Sequence, residues 1–148
     1  MTLIERLQTD MRAAMRARDE LARDTLRMVL ADVKNRRIEL GRELEDADVE
    51  GVLQRCVKTR TDSVEQYSRA GREELAARER GELDVIARYL PEQMSPQDVR
   101  AAVARAIAEV GATAPRDTGA VMKALMSQHK GRIDGKAAQQ AVAELLRG

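Results

Sequence analysis

Apolar side chains recur along this chain at intervals of three and four, the period of an α-helix, and no stretch shows the strict alternation of a strand. The first run predicts a helix over residues 3–17, with Leu3, Leu7, Met11 and Ala14 on one face. Thr2 and Glu5 have the spacing of a reciprocal capping box at its start. After a break near Asp19 a second helix runs to about Leu40, with Leu26, Val29, Leu30 and Val33 turned inward. Gly41 is placed to end it in the left-handed conformation. A third helix starts near Asp46, carries Val49, Leu53, Cys56 and Arg60, and stops at Gly71. Unbroken, it would be roughly 35–40 Å long. A fourth covers about Arg72 to Leu90, with Leu83, Ile86, Ala87 and Leu90 as its apolar stripe. Gly81 inside it costs about 1 kcal/mol relative to Ala and suggests a kink or a frayed turn.

Pro91 marks a boundary, because a proline ring pushes the preceding residue out of helical geometry. Ser95-Pro96 is a strong helix start, a capping hydroxyl followed by proline at the first helical position. The helix it opens turns Val99, Ala102, Val103, Ala106, Ile107 and Val110 inward and ends at Gly111. Another lies within about Asp117 to His129, with Val121, Met122, Leu125 and Met126 inward, and Gly131 ends it. Asp134 caps the last, whose inward face is Ala138, Ala141, Val142, Leu145 and Leu146. The expected fold is all-α, with a long-helix N-terminal module, residues 1–93, followed by a small three-helix bundle, residues 94–148.

Composition narrows the chemistry. Phe and Trp are absent, so the core must be built from Leu, Val, Ile, Met and Ala, and the two tyrosines are Tyr67 and Tyr89. The net charge is only +1. Residues 95–148 nevertheless carry eight Lys/Arg against five Asp/Glu, a mild basic excess that suits an anionic partner. No apolar run is long enough to span a membrane, so no membrane association is expected. The N-terminus lacks the apolar segment of a secretory signal, which makes the cytoplasm the expected compartment. A single cysteine excludes an internal disulfide and suits a reducing environment.

The middle of the chain offers little to catalysis. Cys56 lies within an apolar helix stripe and reads as a small buried hydrophobe, while His129 reads as a residue favoured by the macrodipole in the last turn of its helix, with RNA contact as the alternative. A nucleophile needs an adjacent base, and these two are far apart in the chain. No Walker loop or glycine-rich dinucleotide loop is present. The acidic run Glu43, Glu45, Asp46, Asp48 and Glu50 fits no calcium-loop spacing and reads as a solvated helix start. One His and one Cys cannot furnish a zinc site. No catalytic residue, metal or cofactor is expected.

One constellation could act. Lys130, Gly131, Arg132, Gly135 and Lys136 surround the turn before the last helix. Both glycines permit close approach of a ligand to the backbone, and the helix start offers free amides to a phosphate. Lys123, seven residues before Lys130, would lie on the same helix face. The competing reading has the glycines bounding helices and the cations decorating a surface. Because both tyrosines precede residue 94, base stacking could not contribute, and RNA would be read by backbone and shape.

Several of these stretches resemble the GatB/YqeY family. They are Lys58-Thr-Arg-Thr-Asp-Ser-Val-Glu65, Ala70-Gly-Arg-Glu-Glu-Leu75, Tyr89-Leu-Pro-Glu-Gln-Met94, Gly119-Ala-Val-Met-Lys-Ala-Leu-Met126 and Lys130-Gly-Arg-Ile-Asp-Gly-Lys136. Ser127 departs from the proline that many members carry there, and Gln139 from an asparagine. The resemblance implies that the C-terminal module is similar to the GatB tail domain of the glutamine-dependent tRNA amidotransferase, a carbon–nitrogen ligase with glutamine as amido donor. That tail is thought to contact tRNA, and the chemistry resides in another domain. Two leading expectations follow, with a true amidotransferase as a third reading. One is a tRNA-binding accessory protein that works with an aminoacyl-tRNA-modifying enzyme and has no active site of its own. The other is a helical protein-interaction scaffold, since charge-rich helices of the N-terminal kind often pair with a partner or with themselves.

Overall fold

The computed structural model describes residues 1–147 and is all-α, with seven helices and no strand among those residues. The helices are α1 (Leu3–Ala17), α2 (Glu20–Leu40), α3 (Asp46–Arg69), α4 (Glu73–Ala87), α5 (Pro96–Val110), α6 (Thr118–Gln128) and α7 (Gly135–Arg147). A 3-10 turn, Pro115–Asp117, leads into α6. The chain divides into two compact units, Met1–Leu90 and Pro91–Gly148.

Local chemistry sets the helix ends. The Thr2 hydroxyl accepts from the Glu5 amide at 3.2 Å, and the Glu5 carboxylate accepts from the Thr2 amide at 3.0 Å, completing the capping box. Between α1 and α2, Arg18 takes a left-handed φ of 58° and Asp19 caps α2 through the Ala22 amide. Gly41 closes α2 at φ 65°, donating to the carbonyl of Arg37. Arg18 is the residue for which sequence offered no signal, because left-handed geometry is costly for a side chain with a Cβ.

The first unit buries Leu7, Leu26, Val29, Val49, Leu53 and Ile86 almost completely. Each such side chain contributes about 1.5–3 kcal/mol of hydrophobic free energy. α3 and α4 pack along each other, and their interface holds an ion pair, Arg60 Nε to Glu82 Oε2 at 3.0 Å, with both side chains nearly buried. The stripe on α4 differs from expectation. Ile86 faces in as expected, but Ala87 faces out and Leu83 and Leu90 are half-buried, whereas Glu82 and Val85 face in and Tyr89 is buried just beyond the helix. The Tyr89 hydroxyl donates to Asp10 Oδ2 at 2.6 Å, and the Arg6 guanidinium lies 4.7 Å over its ring. The apolar period along α4 carries no record of the helix across from it, so it could not show that Glu82 lies inside, paired with Arg60. Nor does Gly81 break α4. A Cβ there would come 3.0 Å from Leu21 Cδ2, so the glycine lets α2 and α4 approach closely.

The second unit buries Val99, Ala102, Val103, Ala106, Val121, Leu125, Ile133, Ala138, Ala141 and Val142. The buried polar side chains of the described residues, Thr25, Arg60 and Glu82, all belong to the first unit. Val110 and Leu145 do not turn inward as expected, being 40% and 46% exposed. The cores of α5 and α7 are made of alanine and valine, so the helices sit close, and their outermost apolar positions fall outside the packed interface. Ser95 caps α5 through the Asp98 amide at 3.1 Å, with Pro96 at its first position.

Candidate functional site

The turn between α6 and α7 is built by its own backbone and laced by the start of the second unit. The Arg132 amide donates to the His129 carbonyl at 3.0 Å, closing a turn in which Gly131 has φ 77°. Only glycine takes that conformation without steric cost. The Gln93 side-chain amide donates to the Gly131 carbonyl at 2.7 Å. The Met94 amide donates to the Arg132 carbonyl at 2.8 Å. Arg132 Nε donates in turn to the Glu92 carbonyl at 3.2 Å. Ile133 is buried beneath the turn and acts as its apolar anchor. Residues 92–94 hold the turn, and sequence reading missed that role although they lie inside the Tyr89–Met94 motif.

Lys130, Arg132 and Lys136 are all exposed on this turn or at the first residues of α7, and Lys123 is exposed on α6. None of the four has an ion-pair partner among the described residues. The one ion pair that those residues form in this unit joins Arg100 to Glu144 at 3.6 Å. Lys123 does not share a helix face with Lys130, because α6 ends at Gln128 and Lys130 lies past that end. Gly135 is not required by backbone conformation, and a Cβ there would make only an ordinary contact, 4.0 Å from Met126 Cε. The start of α7 already has an anion. Asp134 Oδ2 accepts from the Ala137 amide at 3.1 Å. A phosphate at this turn would therefore be held by cationic side chains, in competition with the Asp134 carboxylate at the helix end.

The other candidates have structural partners. Cys56 Sγ donates to Asp32 Oδ2 at 3.4 Å, and burial together with that carboxylate pushes the thiol up to about 11. A thiol so protonated is a poor nucleophile at neutral pH. Arg60 Nη1 donates to the Cys56 carbonyl at 3.3 Å. In the acidic run, Asp48 accepts from both Arg42 Nη atoms at 2.8 and 3.0 Å and also from the Glu45 amide. The Arg42 hydrogen bond above all holds its carboxyl at about 2. Asp46 accepts from the Leu3 amide at 3.0 Å. His129 ends α6, its amide donating to the Leu125 carbonyl at 3.1 Å. No helix among the described residues is long and apolar enough to cross a membrane.

A family model described as YqeY-like protein matches this chain over residues 4–146. The chain belongs to that YqeY-like family. Curated relatives named "Altered inheritance of mitochondria protein 41, mitochondrial" are similar to it. The one from Lachancea thermotolerans is 31% identical over 59% of this chain and 47% of its own length. The one from Pyrenophora tritici-repentis is 28% identical over 97% of this chain and 81% of its own length. The one from Vanderwaltozyma polyspora is 32% identical over 63% and 52%. The chain thus spans about half the length of the first of these relatives. Their names overturn the expected cytoplasmic location, because they point to mitochondria instead. The expectation tested only for an apolar export segment, whereas mitochondrial targeting segments are amphipathic and Arg-rich.

Proposed function

We propose that this protein is a tRNA-binding accessory protein that holds RNA phosphates on the α6–α7 turn and has no active site of its own. The carrying observation is the set of exposed cations Lys130, Arg132 and Lys136 around a turn pinned by Gln93 and Met94, none with a carboxylate partner among the described residues. Pinning matters because an ordered turn spends less conformational entropy on holding an anion. The resemblance of the sequence motifs in the C-terminal module to the amidotransferase tail favours tRNA as the RNA, and a partner enzyme would supply the amide-forming chemistry.

The test is tRNA binding across a salt series. Substituting Lys130, Arg132 and Lys136 by Ala should weaken binding at least tenfold at low salt and flatten the salt slope by about one for each phosphate no longer neutralised. Circular dichroism should show unchanged helicity. Unchanged affinity in the triple variant would refute the assignment.

A further inference from the structure

α2 is apolar on two opposite faces. Thr25, Leu26, Val29 and Val33 point into the core of the first unit. On the far side Met28 is 47% exposed and Ile38 is 69% exposed, with exposed Ala31 and Asn35 between them. Met28, Ala31, Asn35 and Ile38 follow one another at steps of three, four and three. Those are successive a and d positions of a heptad, with Asn35 at an a position. The flanks carry opposite charge. Arg27 and Lys34 occupy the g positions on one side, and Asp32 and Glu39 the e positions on the other, all exposed. Arg27 and Lys34 make no ion pair among the described residues. Glu39 meets Arg36 at 2.9 Å in an exposed pair, and Asp32 accepts from Cys56 with a second carboxylate oxygen left over.

We propose that this face seats α2 of a second copy of the chain in a short parallel two-stranded coiled coil over residues 27–39. The charge pattern selects both the partner and the direction. In a parallel pair each g residue faces the e residue five positions on in the other helix. Arg27 then meets Asp32 of the other copy, and Lys34 meets its Glu39, twice over by symmetry. An antiparallel pair would set the basic flank against itself and the acidic flank against itself. Along the seam Met28 meets Met28 and Ile38 meets Ile38. Alanine at 31 allows close approach, and the paired Asn35 amides bond to each other and fix the register. Two heptads bury little area, so the dimer is weak and forms in the concentration range where copies are abundant. This inference is independent of the tRNA assignment and narrows the scaffold expectation to one partner.

The full chain is followed by sedimentation and light scattering from about 1 μM to about 1 mM. A concentration-dependent dimer is expected. Ile38→Asp, and separately Arg27→Glu with Lys34→Glu, should each raise its Kd at least tenfold while leaving helicity unchanged. In a Cys56→Ala background, Ile38→Cys should form an oxidised cross-link between the two copies, because d positions face each other only in the parallel pair. A monomer at every concentration overturns the proposal, as does a dimer indifferent to both surface variants. A dimer that fails to cross-link at position 38 overturns the parallel pairing. The cations of the α6–α7 turn are untouched in all these variants, so tRNA affinity reports separately on the other reading.

Discussion

The two units solve the same problem, burying helix faces without Phe or Trp, in different ways. The first uses long helices and large aliphatic side chains, and it takes an arginine and a glutamate inside, paired at 3.0 Å. The second uses short helices of alanine and valine and keeps its charges outside. A buried ion pair seldom adds net stability over an apolar pair of equal volume, but it penalises every arrangement that separates the charges. Apolar contact alone is tolerant of how α3 and α4 are aligned, whereas Arg60 and Glu82 meet in one register only. The short helices of the second unit have fewer registers to exclude, and their alignment comes instead from the glycine and capping geometry at each turn. Polar specificity is thus placed in the core of one unit and at the turn of the other.

The strongest way to break this contrast is Glu82→Ala, which leaves Arg60 buried without its partner. It should cost about 3–5 kcal/mol in chemical denaturation. Replacing Arg60 and Glu82 together by Leu should cost far less and leave a less uniquely packed unit, visible as broadened NMR signals from α3 and α4. If Glu82→Ala is nearly neutral, the pair does not specify register. In the second unit Leu125→Ala should cost about 2–5 kcal/mol, since Leu125 is fully buried among small residues that cannot collapse into the space.

A smaller effect concerns pH. The Cys56 proton is held in the folded state to about 11, against 9.0 for the free thiol. Between those values the unfolded chain has lost a proton that the folded chain keeps, so stability falls as pH rises through that window. Comparing wild type with Cys56→Ala across it isolates this contribution, and Cys56→Ala should lack it. Thiol-specific reagents at pH 8 should react with the folded protein far more slowly than with the urea-unfolded chain.

Gly81→Ala sharpens the comparison at the level of one methyl group. The gain in helix propensity, about 1 kcal/mol, opposes a 3.0 Å approach to Leu21 Cδ2. Leu21 is 40% exposed and can swing aside, so a net stabilisation of roughly 0.5 kcal/mol is expected from thermal denaturation. Asp134→Asn makes the smallest change. It keeps a capping oxygen at the start of α7 and removes a charge beside Lys130, Arg132 and Lys136, so tRNA affinity should rise about two- to fivefold at low salt. A fall would show that the carboxylate helps to position the turn.

Much of the fold was legible from local pattern. The caps at Thr2, Ser95 and Asp134 and the stop at Gly41 rest on partners three or four residues away, and local spacing carries that information. The candidate turn was legible as a glycine-bounded basic segment. Its supports were not, because Gln93 reaches Gly131 across 38 residues. The site also lost an assumed feature once the end of α6 was known, since Lys123 no longer shares a helix face with Lys130. The Asp134 cap, legible in the sequence, already occupies the start of α7 that a phosphate would use.

Local pattern was enough for the helical class, most of the capping residues and the apolar composition of both cores, because these depend on side chains within one or two turns of each other. Tertiary structure alone decided that Glu82 lies inside opposite Arg60, that Tyr89 reaches back 79 residues to Asp10, and that Val110 and Leu145 stay in solvent. Those outcomes depend on which helix lies across from which, and hydropathy along a single helix carries no record of what faces it.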